Sequence, residues 1–297
     1  MSKKVKEIML DGAALPIKEF DMNKLIYNNE GGYVNPRIVM IAKSGSGKSW
    51  VVRDIIYYLY HKSNIPAGLI VAPTDRTNKF YDEHFPRLFI RHEWKPYIFP
   101  RLFQRQKLIQ KKNEKRKKQG RKQKDNRVLF IMDDCMSCKK EWIKDPYMLS
   151  IMNEGRHYGI TYILTMQYSL GMEPELRTQF DYIFLLGDDN FSNRKKLYEH
   201  YAGVFPTKDL FDQVFAQLTD DYGCMVIDNR VRSTDLTKKV FYFKAKKREH
   251  FVVGGKKFKK YNEIHFDPDH EDREDNFDMS LLIKKRRGPK VAVKKMH

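Results

Sequence analysis

The chain has 297 residues, 57 Lys and Arg against 38 Asp and Glu, a formal net charge of +19, and three cysteines, Cys135, Cys138 and Cys224. This length supports one large domain with its own core, and so few cysteines exclude a disulfide-stapled scaffold and suit a reducing compartment. No run approaches the roughly 18 apolar residues of a membrane span, and MSKKVKEIMLDGAALPIKEF is too interrupted for a signal peptide, so a soluble intracellular protein is expected.

Residues 1–34 read as a mixed lead-in ending in at most a short strand. Residues 35–250 follow with strand-like and helix-like patterns in alternation, as a mainly parallel α/β sheet flanked by helices requires. Arg37–Ala42 opens that region with a continuous apolar run of the type parallel sheets bury on both faces. Next comes Ala42-Lys43-Ser44-Gly45-Ser46-Gly47-Lys48-Ser49, the phosphate-loop pattern with alanine at the first glycine position. Val51, Val52, Ile55, Ile56 and Leu59 then recur at helical spacing. A loop of small residues before a helix turns several backbone N–H groups inward, where the helix dipole helps them hold phosphate oxygens. Ala42, Lys43, Ser44, Gly45, Ser46, Gly47, Lys48, Ser49 and Trp50 are therefore the candidate nucleotide-binding set, for ATP. Lys48 is positioned for the β- and γ-phosphates and the Ser49 hydroxyl for Mg²⁺.

A second strand is expected over Gly68–Ala72. Residues 101–127 carry 13 Lys and Arg against Glu114 and Asp125, the electrostatic footprint of a polyanion partner. Lys107, Lys111, Lys115, Lys118 and Lys122 fall three or four apart and would share one helix face. With few apolar residues opposite them, this insertion is expected to stay off the body and to order on binding.

Val128–Met132 is the next strand, and RVLFIMDDCM ends it in two carboxylates. Asp133 is the candidate Mg²⁺ ligand and Asp134 the candidate general base. Cys135 and Cys138 lack a second Cys/His pair at zinc spacing and read as ordinary thiols. In NEGRHYGITYILTMQYS a helix ends near Gly155, a strand runs from Thr161 to Met166, and Gln167 tips it where a γ-phosphate or its attacking water would be met. Arg156 is the candidate arginine for a neighbouring subunit's nucleotide, with Arg177 and then Arg194 behind it. Tyr182–Leu186 gives a fifth strand, and Gly223–Asp228 with Lys239–Lys244 an expected edge hairpin. Residues 251–297 form an expected appendage, acidic over Asp267–Asp278 and basic from Lys284, and flexible in its tail.

The phosphate loop, the apolar strand ending in Asp-Asp, and Gly155, Arg156, Gly159, Ile160 and Gln167 in that order resemble the FtsK/HerA superfamily of DNA-pumping ATPases. GRHYGITYILTMQY and NRKKLYEHYAGVFPTKDLFDQVF resemble its genome-packaging members from nucleocytoplasmic large DNA viruses, the poxvirus packaging ATPase among them. The resemblance covers about residues 35–245. It implies a P-loop NTPase of the RecA-like (ASCE) kind, built as a pentameric or hexameric homo-oligomeric ring that threads double-stranded DNA into a capsid. It also implies a capsid, portal or membrane component as partner, and action in the host cytoplasm or virion; the basic tail adds the nucleus. Ala42, and Asp134 where many relatives have Glu, depart from the pattern. Two other functions fit parts of the chain: a nucleoside or nucleotide kinase, and a non-catalytic nucleic-acid-binding protein with a vestigial loop.

Overall fold

The computed structural model describes residues 5–10, 13–28 and 30–267. Their strands are β1 Val5–Leu10, β2 Ala13–Glu19, β3 Arg37–Ile41, β4 Gly68–Val71, β5 Ile90–Arg91, β6 Val128–Asp133, β7 Ile160–Met166, β8 Tyr182–Leu186, β9 Gly223–Asp228 and β10 Val240–Lys244. The longer helices are α1 Lys48–Ser63, α2 Ile98–Lys118, α3 Pro146–Glu154, α4 Phe191–Tyr201, α5 Lys208–Thr219 and α6 Lys256–His265. All the strands belong to one sheet in the order β1-β2-β10-β9-β8-β3-β7-β6-β4-β5.

The centre of that sheet follows from the apolar runs. β3 lies between β7 and β8, parallel to both, and β6 and β4 continue the parallel set beyond β7. Every residue of β3, β6, β7 and β8 is buried, as expected for strands covered on both faces. Alternate side chains leave on opposite sides. Val39 and Ile41 join a cluster with Phe99, Met148, Leu197 and Phe215 of α2 to α5, whereas Ile38 and Met40 join Val52, Ile55 and Leu59 of α1. Because the central strands run one way, their C-terminal ends share one pole of the molecule.

The edges differ from expectation. The lead-in supplies two strands, not one, and β2 pairs in parallel with β10. β9 and β10 do pair antiparallel, but they sit inside the sheet because β9 also pairs with β8. At the outer edge, the Met9 N–H donates to Gln217 Oε1 (3.1 Å) and Gln217 Nε2 donates to the Met9 carbonyl (3.0 Å), so an α5 side chain stands where a further strand would bond. Residues 251–265 also pack on the body: Phe251 and Val253 are buried, and Phe258 of α6 stacks on Phe89 at 4.0 Å. The basic tail and the acidic segment beyond Asp267 lie outside the described residues.

The basic insertion is the largest difference. Ile98, Phe99, Leu102 and Phe103 of α2 are buried, and each such side chain contributes about 1.5–3 kcal/mol, enough to fix the helix root. Beyond the root, amides replace apolar packing. Gln106 Nε2 donates to the carbonyls of Asn126 and Tyr158, and Gln110 Nε2 to that of His157 (3.0 Å). Asn113 exchanges two hydrogen bonds with the Lys124 backbone, and Arg116 Nε donates to the Lys122 carbonyl (2.6 Å). The segment is thus an arm of helix and irregular return chain clamped together, directed away from the C-terminal pole. The helix ends at Lys118, so Lys107, Lys111, Lys115 and Lys118 share its face, all exposed, and Lys122 belongs to the return.

Candidate active site

β3 delivers the phosphate loop to the C-terminal pole. Gly47 sits at φ 92°, in the left-handed region that glycine enters without a Cβ penalty, and from there α1 begins at Lys48. Ala42 has no positive φ; its methyl is buried and its N–H donates to the Met166 carbonyl (3.0 Å), so alanine replaces the first loop glycine without strain. Ser46 Oγ closes the loop on the Lys43 carbonyl (2.6 Å). Lys43, Ser44, Gly45, Gly47, Lys48, Ser49 and Trp50 line a cavity of about 810 Å³ together with Asp133, Asp134 and Gln167, whereas Ala42 and Ser46 stand behind its wall.

Successive residues of a strand point to opposite faces, which would separate Asp133 from Asp134. A left-handed turn prevents this: Asp134 lies at φ 56°, a region that Asp tolerates better than most residues. Its N–H donates to Thr165 Oγ1 (3.1 Å), which ties the turn to β7. Both carboxylates consequently face one ammonium, with Lys48 Nζ 3.7 Å from Asp133 Oδ1 and 3.9 Å from Asp134 Oδ1. All three side chains are 15% exposed or less, so their attraction is weakly screened. Gln167 Nε2 donates to Asp134 Oδ2 and so orients the carboxylate it was expected to work beside.

Asp133 is gripped from two further sides. Thr165 donates to Oδ1, and the buried Tyr81 hydroxyl donates to Oδ2 (3.0 Å). Burial, and then the adjacent Asp133, push the Tyr81 hydroxyl well above the usual tyrosine range, so it remains a donor. Tyr81 arrives on the chain after β4, which the Tyr81 N–H fixes by donating to Asp75 Oδ1 (3.1 Å). Sequence reasoning missed Tyr81, since a tyrosine after a strand looks like any core aromatic. The oxygen set of the Ser49 hydroxyl and the Asp133 carboxylate suits a hard divalent cation such as Mg²⁺.

None of the three arginines lines the cavity, although Arg194 bonds Asp189, whose carboxylate accepts from Lys43 Nζ of the loop (2.7 Å). Arg156 is exposed in the turn before β7, and a rise of about 3.3 Å per residue along that strand puts it about 20 Å from Gln167 at the other end. Gly159, at φ 72°, makes the turn between Arg156 and β7. Arg177 lies near Tyr201 with its Nη1 buried and unbonded, and Arg194 is held by the Asp188 and Asp189 carbonyls and Asp212. Cys135 is buried and its Sγ donates to the Val71 carbonyl (3.3 Å), and Cys138 Sγ donates to the Cys135 carbonyl (3.3 Å); both pack the floor beneath the Asp-Asp turn.

The poxvirus A32 protein family profile matches residues 17–193. The uncharacterized protein L437 of Acanthamoeba polyphaga mimivirus is 46% identical over 254 residues, 86% of this chain and 85% of that one. The uncharacterized protein 075L of Invertebrate iridescent virus 6 is 31% identical over 243 residues, 80% and 88% of the two chains. Among solved structures, B204, the DNA-packaging ATPase from Sulfolobus turreted icosahedral virus, superposes with a TM-score of 0.48 at 15% identity, over 72% of this chain and 98% of its own. With a phosphate loop, an Asp-Asp strand end and a strand-tip glutamine converging at one pole, and with the profile covering more than half of its length, the chain belongs to the poxvirus A32 protein family of viral genome-packaging ATPases.

Proposed function

We propose that this protein hydrolyses ATP to drive double-stranded DNA into a viral capsid, working as a homo-oligomeric ring of five or six subunits. The observation that carries the reading is Lys48 within 4 Å of both Asp133 and Asp134 in a cavity floored by the phosphate loop. Loop N–H groups and Lys48 bind the phosphates, and Asp134, aimed by Gln167, takes the proton of the attacking water. Mg²⁺ held by Ser49 and Asp133 would neutralise phosphate charge. Arg156 is too far from its own site to act there, and we assign it to the neighbouring subunit's nucleotide. A capsid or portal component receives the DNA, at the site of virion assembly in the infected cell. No helix among the described residues is long and apolar enough to cross a membrane.

Measuring ATP turnover with and without duplex DNA tests this. The motor is stimulated by DNA; turnover that ignores DNA but consumes a nucleoside acceptor indicates a kinase, and an inert protein indicates a simple binder.

Two further results are expected. Tyr81→Phe removes one of the donors that hold Asp133, and orienting groups behind a metal ligand are typically worth 10- to 100-fold in metal affinity. The Mg²⁺ concentration for half-maximal turnover should rise about tenfold, and an unchanged Mg²⁺ profile would show that Tyr81 only fills space. Changing Lys107, Lys111, Lys115 and Lys118 to glutamine should flatten the slope of log DNA affinity against log salt by about three to four, at about 0.9 per phosphate neutralised. Turnover without DNA should stay the same. An unchanged slope in that variant, with a collapsed slope on deleting Lys284–Lys295, would move the DNA contact to the tail.

A further inference from the structure

The cavity continues past the phosphate loop on the flank away from Asp133. The order of strands explains why. β7 and β6 lie on one side of β3 and bring Gln167, Asp134 and Asp133; β8, β9 and β10 lie on the other. The turn entering β9 and the chain leaving β10 reach the same pole, where Tyr222, Lys244 and Ala245 join the lining, as Thr74, Asn78 and Phe80 do from the chain after β4.

Tyr222 is held there against its backbone preference. It lies at φ 58° directly after Asp221 at φ 49°, and consecutive left-handed residues other than glycine persist only where their surroundings enforce them. Lys244 Nζ bonds the Asp221 carboxylate on one side of the turn. On the other side, Gly223 approaches so closely that a Cβ there would meet the Leu218 carbonyl oxygen at 2.2 Å. The enforced turn buries nothing: the Tyr222 side chain is 65% exposed. Its ring instead rests beside the loop, with Cδ1 3.4 Å from where a Cβ on Gly47 would stand. Of the other two large aromatics that line this cavity, Trp50 has its ring already covered by the Arg53 guanidinium at 4.1 Å, and Phe80 packs edge-on against Tyr81 at 5.2 Å and His84 at 5.9 Å.

We propose that Tyr222 is the platform on which the purine base of the nucleotide stacks, with the triphosphate running from it along the loop towards Lys48 and Asp133. The proposal rests on the nucleotide-binding function above and adds the part of the site that recognises the base. A flat, uncharged and largely exposed ring offers an aromatic base a stacking face without a desolvation penalty for charge. The triphosphate alone would need only the loop.

The test compares two ligands in the full-length protein by calorimetry with Mg²⁺ present: ATP, and inorganic tripolyphosphate, which has the charge but no base. Stacking on one aromatic residue is commonly worth about tenfold or more in affinity by alanine substitution. Tyr222→Ala is expected to weaken ATP about tenfold and to leave tripolyphosphate within twofold of wild type, and Tyr222→Phe to bind both as wild type does. Unchanged ATP affinity in Tyr222→Ala overturns the platform while leaving the phosphate site standing. Equal loss of both ligands overturns it too, by showing that Tyr222 acts on the loop through Gly47. A tenfold loss of ATP in Trp50→Ala, with none in Tyr222→Ala, reassigns the base to Trp50. Failure of the wild-type protein to bind either ligand overturns the platform together with the nucleotide site on which it rests.

Discussion

Lys48→Ala is expected to lower ATP turnover by about 10³-fold, the size of effect seen when a charge-stabilising donor is removed from a transition state. Two losses combine at this position. The transferred phosphate loses the ammonium that would meet it, and Asp133 and Asp134 lose the cation standing 3.7 and 3.9 Å away, so two carboxylates are left facing a polyphosphate. ATP binding itself should weaken, and a steady-state assay beside direct nucleotide titration will separate the contributions. Turnover above a tenth of wild type would place the catalytic charge elsewhere. The same variant probes the subunit interface. Mixed with Arg156→Ala subunits, it should recover part of the activity wherever an intact loop meets an intact arginine, and mixtures that co-assemble without recovery would move the role to Arg177 or Arg194.

Asp134→Asn is expected to keep ATP bound while slowing hydrolysis by about 10²- to 10⁴-fold, the usual range for losing a positioned proton acceptor. The structure makes this substitution informative because it is nearly isosteric and asparagine also tolerates the left-handed backbone at φ 56°. The turn that aims both side chains should therefore survive. Gln167 can rotate its amide to keep a hydrogen bond to the new carboxamide, so the geometry of β7 is preserved while the basic oxygen is lost. Hydrolysis at the wild-type rate, measured in single-turnover experiments, would show that Asp134 is not the base. Retained ATP affinity is the second half of the expectation, since Asp133 with its Thr165 and Tyr81 donors is untouched.

The central sheet was legible because its strands are buried on both faces and so appear as unbroken apolar runs; Arg37–Ala42 and Tyr182–Leu186 could hardly be anything else. β1 and β2 escaped notice for the opposite reason. The partly exposed pattern of VKEIML carries a weak signal, and the pairing of Lys18 with Phe241 links residues too far apart for local pattern to register. In the basic arm, composition argued correctly that few apolar residues follow Ile109, but Gln106, Gln110 and Asn113 supply the order that apolar contacts usually supply. At the site, the loop and the Asp-Asp pair were readable from spacing. Their convergence on Lys48 depends on a single left-handed residue, which no spacing rule encodes. Tyr81 and Tyr222 were invisible because only the folded chain distinguishes an aromatic that fills a core from one that holds a carboxylate or waits at a cavity mouth.

The Gln217 amide on Met9 bears on how copies of this chain can meet. Open sheet edges act as templates on which further chains add, one backbone after another. Met9 exposes its N–H and carbonyl outward, and by the two-residue period of an antiparallel ladder Glu7 and Val5 do the same. A chain growing onto this edge would have to strip away the Gln217 amide and then lay its own backbone beside the Glu7 carboxylate. Sheet extension from one copy to the next at the β1 edge, a first step towards a fibril, is thereby opposed at a single side chain.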